Sequence, residues 1–127
     1  MNRKIKIWLG TTELNEEEYS KYFELDYETE DFDDPNYKIC GFCKDIGDLW
    51  YNEDFIGIVP VFEKKISVDK LISETPLTNS SKEQLKSDCL KMGIEFGNAI
   101  LFYSGNTRGI AKGEIFNGLK YIGEYDI

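Results

Sequence analysis

Phe116-Asn117-Gly118-Leu119, continuing as Lys120-Tyr121-Ile122-Gly123-Glu124-Tyr125, is the stretch that decides the fold. Asn-Gly between two runs of apolar and aromatic residues is the strongest short hairpin signal, because a type I′ turn needs positive φ at both central positions. The turn predicts a strand over 119–126. Leu119, Tyr121 and Gly123 fall on one face, with Ile122 and Tyr125 split across the two. The preceding partner, 108–116, has a broken strand pattern in which Gly109 and Gly113 are bulge sites. Residues 99–103 form a further strand, turned by Ser104-Gly105-Asn106-Thr107.

Upstream of this sheet lies the clearest helical pattern, 82–96. Ser80 with Glu83, or Ser81 with Gln84, makes a capping box. Leu85, Cys89, Met92 and Phe96 form an apolar stripe, and Gly97-Asn98 is a stop. Ser67 caps a short helix through Ile72, and 61–66 is a candidate strand. At the other end Lys4-Ile5-Lys6-Ile7-Trp8-Leu9 alternates as a strand, with Ile5, Ile7 and Leu9 on one face. Asn15 and Glu18 box a helix over 16–23 whose Tyr19, Tyr22 and Phe23 pack on the sheet. These elements predict one α+β domain over 1–127: a mostly antiparallel sheet with one long and two short helices and a C-terminal β-hairpin.

The 127 residues carry 24 Asp and Glu against 15 Lys and Arg, a net charge of -9, and no histidine. Without histidine no Ser-His-Asp triad, Cys-His pair or HExxH zinc site can be written. The acidic balance argues against a nucleic-acid binder, which needs clustered Lys and Arg. No apolar run approaches the ~20 residues of a membrane span, and the N-terminus shows no signal-peptide pattern, so a cytoplasmic location is expected.

The acid is local. Residues 13–54 hold 15 acids and three bases, a net of -12, whereas 55–127 hold nine of each. The densest run, ELDYETEDFDD over 24–34, has seven acids and no base. Such a run is a solvated loop or, given its interleaved Leu25, Tyr27 and Phe32, a surface that grips a partner. It lacks the spacing and central glycine of an EF-hand, which leaves only a looser calcium site open. No glycine-rich phosphate cradle is present, and Arg108 reads as a surface residue.

Cys40-Gly41-Phe42-Cys43 matches C-x-x-C. A redox motif of this kind normally opens a helix, whose N-terminus lowers the thiol pKa. Here the alternation over 37–43 predicts a strand that would send the two cysteines to opposite faces. Buried, inert thiols are the expectation, and one pair is only half a zinc site.

The segment 44–55 sets four acids among Trp50, Tyr51 and Phe55. A turn and a strand whose Leu49 and Phe55 fill the core is one expectation. The other is that Asp48, Trp50, Glu53 and Asp54 share an outward face with the acidic run. Aromatic anchors ringed by charge suit a tight interface, and acids there speed encounter with a basic partner.

These residues resemble the immunity protein 22 family of bacterial polymorphic-toxin systems. The likeness rests on Ile5-Lys6-Ile7-Trp8-Leu9-Gly10 before a helix with Glu17, Glu18 and Tyr19. It rests also on Asp45-Ile46-Gly47 with Tyr51-Asn52-Glu53-Asp54-Phe55, and on Leu119-Lys120-Tyr121-Ile122-Gly123-Glu124-Tyr125. Asn52 departs from the Asp expected there, which weakens a metal reading. The resemblance implies a small cytoplasmic protein that binds and neutralises the C-terminal domain of a cognate toxin, with no catalytic residues and no cofactor. Charge adds the expectation of a basic nuclease as that toxin. The candidate contacts are Glu28, Glu30, Asp31, Asp33, Asp34, Asp48, Trp50, Glu53 and Asp54. A carboxylate- or metal-dependent enzyme and an adaptor for a basic peptide are the alternatives.

Overall fold

In the computed structural model, which describes residues 4–29, 31 and 33–127, strand β1 (Lys4–Gly10) lies at the centre of a five-stranded antiparallel sheet. Alternation explains the position: Ile5, Ile7 and Leu9 are buried on one side and Trp8 on the other. A strand covered on both faces must sit inside the sheet. Its neighbours are β5 (Ala99–Tyr103) and β7 (Leu119–Asp126), with β2 (Ile56–Ile58) and β6 (Ile115–Phe116) at the edges. Strands β3 (Ile66–Ser67) and β4 (Phe96–Gly97) form a separate ribbon.

Helices cover both faces. On the Trp8 face, α1 (Glu16–Lys21) and α2 (Gly41–Ile46) pack over Leu101, Tyr103, Leu119 and Tyr121. Phe42 is the hub there, meeting Trp8, Tyr51 and Tyr103 edge-to-face at centroid distances of 5.9, 5.2 and 5.3 Å. On the opposite face α3 (Val68–Ile72) and the long α4 (Asn79–Lys91) lay Val68, Leu71, Ile72, Leu85 and Cys89 against Ile5, Ile7, Leu9, Ile100 and Ile122. Each fully buried Leu, Ile or Phe contributes roughly 1.5–3 kcal/mol, so both layers matter to stability.

The fold is α+β with an antiparallel sheet and the C-terminal hairpin, as the sequence predicts. Asn117 and Gly118 take φ of 53° and 90° between β6 and β7. The hairpin face pattern differs. Ile7 pairs with Gly123 but Trp8 pairs with Tyr121, so Ile122 is the extra residue of a bulge. The bulge resets the phase, and Ile122 and Tyr125 both face the α3/α4 layer rather than splitting.

Helix α4 starts earlier and ends earlier than its stripe suggests. Thr78, not Ser80 or Ser81, caps it by accepting from Ser81 N–H at 3.2 Å. Gly93, at φ 78°, turns the chain away, so Phe96 belongs to β4 and is exposed. The segment 61–66 forms strand only from Ile66, and 108–116 only at Ile115–Phe116. The loop before β6 is held by Arg108, which is more than a surface charge. Its guanidinium donates to Glu114 (2.8 and 3.2 Å) and to the Asp45 carbonyl (2.8 Å), and lies over the Phe116 ring.

The largest revision is α2, a third short helix where alternation predicted strand. Phe42, Cys43 and Ile46 face the core at helical spacing. Gly47 at φ 80° ends the helix. Gly41 opens it against the Tyr22 ring, where any Cβ would lie 2.5 Å from Tyr22 Cδ1.

Candidate functional site

The acidic loop is built by its own carboxylates. Asp26 accepts from the backbone N–H of Glu28 and Thr29 at 3.1 Å and of Lys38 at 3.0 Å, which ties the start of the loop to its end. The bond from Lys38 leads in holding the Asp26 carboxyl below its ordinary pKa. Asp31 accepts from Asp33 N–H at 2.9 Å and Asp34 from Asn36 N–H at 2.8 Å. Three acids of the run thus serve as backbone acceptors. Glu28 and Asp33 are exposed and form no ion pair among the described residues. Glu30 and Phe32 lie outside the described residues.

The second segment hangs from Tyr51. Its ring is buried against Phe42 and Tyr103, and its hydroxyl donates to the Phe23 carbonyl at 2.6 Å. That anchor leaves its neighbours outside. Leu49 is 40% exposed, Trp50 45% and Phe55 44%. Leu49 and Phe55 therefore do not fill the core as expected. Asn52 explains Phe55: its side chain accepts from Asp54 N–H at 3.0 Å and starts a 3-10 turn, Glu53–Phe55, that swings the ring outward. Asp48, Trp50, Asn52, Phe55, Tyr103 and Asn106 line a surface hollow of about 240 Å³.

Hydroxyls of three tyrosines bring the segments together. Tyr51 reaches Phe23, Tyr37 donates to the Leu49 carbonyl at 2.7 Å, and Tyr27 donates to the Glu53 carboxylate. Asp48, Trp50, Glu53 and Asp54 are all exposed, and of these Glu53 meets the Tyr27 limb of the loop. Among the described residues, no hydrogen bond or ion pair joins Asp31, Asp33 or Asp34 to 48–55. Sequence reasoning missed Tyr27, Tyr37 and Tyr51 as staples. The available signal was tyrosine rather than phenylalanine amid acids, since a tyrosine hydroxyl seeks a partner.

The cysteines also move. Cys40 is the N-cap of α2 and its sulfur accepts from Cys43 N–H at 3.2 Å, so the pair shares one side of the chain rather than facing opposite ways. Among the described residues no three His, Cys, Asp or Glu side chains converge to hold a metal ion, and no helix is long and apolar enough to cross a membrane.

Comparison with known families matches residues 5–127 to the family described as Immunity protein 22. The chain belongs to that family. The matched span takes in both the acidic loop and the 48–55 segment. Membership supports a toxin-neutralising immunity role and gives the chain a toxin as its partner. No curated protein and no solved structure matches the chain.

Proposed function

We propose that this immunity protein is a non-catalytic inhibitor. It binds its cognate toxin's C-terminal domain through the surface formed by the acidic loop and residues 48–55, in the cytoplasm. The observation that carries the reading is the joining of these two segments by Tyr27 and Glu53, together with half-exposed Trp50 and Phe55, which line one hollow with Asp48, a carboxylate in no ion pair among the described residues. Partly exposed aromatics provide binding energy, and the acids around them steer a basic partner and raise the association rate. The same charge favours a nuclease with a basic groove, whose substrate phosphates the carboxylates would mimic.

The structure sharpens the choice of test. Asp26, Asp31 and Asp34 support the loop, and Glu53 holds Tyr27, so reversing them would disturb the fold as well as the charge. Glu28, Asp33 and Asp54 have exposed carboxylates without such duties. The variant E28K/D33K/D54K should associate with the cognate toxin domain about tenfold or more slowly at low salt. Its association rate should also depend less on salt. Unchanged rates and an unchanged salt slope would show that this face is not the contact.

A further inference from the structure

Cys40 and Cys43 are both free thiols, buried in the layer beneath the proposed binding face. Their sulfurs lie 2.9 Å apart, joined by a hydrogen bond. A disulfide needs about 2.05 Å between sulfurs, so bond formation asks for a contraction of under about 1 Å. The two thiols are not equivalent. Cys40 keeps 7% of its surface exposed, whereas Cys43 has none. Hydrogen bonding from Cys43 holds the Cys40 thiol below its ordinary pKa, while the same bond and burial push Cys43 up. Cys89 is a built-in control. It lies across the sheet in the α3/α4 layer, and burial pushes its thiol up to about 12.

We propose that Cys40 and Cys43 form a reversible dithiol–disulfide site whose substrate is a small-molecule disulfide. This goes beyond the immunity role and does not depend on which face meets the toxin. The Cys40 thiolate attacks one sulfur of the small disulfide, forming a mixed disulfide and releasing one thiolate. Cys43 gives its proton to that leaving thiolate and attacks the Cys40 sulfur, expelling the second small thiolate, which takes up from solvent the proton that Cys40 released on ionising. Two protein thiols are oxidised and one small disulfide is reduced to two thiols. Cys40 is the attacking group because it is the less deeply buried of the two and the one stabilised as thiolate. Cys43 resolves because it is already in contact.

The test uses the full folded chain equilibrated with mixtures of reduced and oxidised glutathione, then acid-quenched, alkylated and mapped by mass spectrometry. Two of the three thiols should disappear together, with a mass lower by two hydrogens, a Cys40–Cys43 cross-linked peptide and Cys89 still alkylated. Excess reduced glutathione should restore both. Cys43→Ser should trap a glutathione adduct on Cys40, and Cys40 should alkylate about tenfold or more faster than Cys89 at neutral pH. Retention of all three thiols in the most oxidising mixture, or a lasting adduct on the wild-type Cys40, would overturn the proposal. The wild-type map decides the matter even if a cysteine variant fails to fold.

Discussion

The hydroxyl of Tyr27 donates to the carboxylate of Glu53, 26 residues further along the chain, and so fixes the acidic loop to the 3-10 turn. The contact lies at the surface, since Tyr27 is 69% exposed. Removing it should therefore change the face and spare the core. Tyr27→Phe should alter global stability by less than about 0.5 kcal/mol, as exposed substitutions do. Amides over 24–29 should exchange faster, and the toxin complex should dissociate several-fold faster. Hydrogen exchange and surface-binding kinetics read the two effects separately. An unchanged dissociation rate together with faster exchange would detach this contact from binding.

Asp26 gives the loop a pH dependence of defined sign. Its folded pKa is depressed by three backbone donors, with Lys38 the largest contributor. A group depressed on folding contributes fully above its unfolded pKa of about 3.9 and loses that contribution as pH falls through the folded value. Protection of the Glu28, Thr29 and Lys38 amides should thus hold at neutral pH and fade below about pH 4, before the central strands open. Asp26→Asn should remove that step from an NMR acid titration followed at these amides.

Gly97 sits where β4 passes the end of β1. A Cβ there would lie 2.5 Å from the Gly10 carbonyl oxygen and 3.1 Å from Leu71 Cδ1. The first clash is with backbone, which cannot swing aside as a side chain can. Asn98 N–H also donates to that Gly10 oxygen at 3.0 Å, so the strand end is pinned. Gly97→Ala should cost about 1–3 kcal/mol, the range for overpacking. Gly109→Ala, with open space around it, should stay within about 0.5 kcal/mol in the same urea titration.

Tyr19 carries a buried hydroxyl without a hydrogen-bond partner among the described residues, beneath α1 on the Trp8 face. Its ring packs against Phe23 at 5.5 Å, so the apolar part of the side chain is satisfied. An unpaired buried hydroxyl costs roughly 1–3 kcal/mol. Tyr19→Phe keeps the ring and removes the penalty. The urea midpoint should rise, by about 1 kcal/mol of stability. A fall would show that the hydroxyl is paired after all, for example through an ordered water.

What the sequence made legible was local. The Asn15 to Glu18 box, the alternation of β1 and the Asn117-Gly118 turn each depend on residues within a few positions of one another. The misreadings come from elsewhere. Residues 37–43 alternate like a strand, but tertiary packing of Phe42 and Cys43 beneath Tyr22 and Tyr51 selects a helix. The Ile122 bulge is invisible because it depends on register against β1. The composition of the candidate face was readable as charge and aromatics. A face shared by the two segments was an expectation, but the contact that joins them was not readable, because Tyr27 and Glu53 meet only through the fold.

Trp50 and Tyr51 are adjacent in sequence and should separate binding from stability. Tyr51 is buried and donates to the Phe23 carbonyl, so Tyr51→Phe removes a hydrogen bond and leaves that acceptor without its donor. Stability should drop by about 1 kcal/mol or somewhat more. Trp50 is half-exposed at the rim of the hollow beside Asp48 and Phe55 and, among the described residues, belongs to neither core cluster. Trp50→Ala should leave the urea midpoint nearly unchanged. A tryptophan desolvated at the centre of an interface is worth about 2 kcal/mol or more, so toxin affinity should fall at least about 30-fold. Calorimetry of the toxin complex with each folded variant separates the two roles. Wild-type affinity in Trp50→Ala would move the contact away from this hollow, whatever became of the acidic loop.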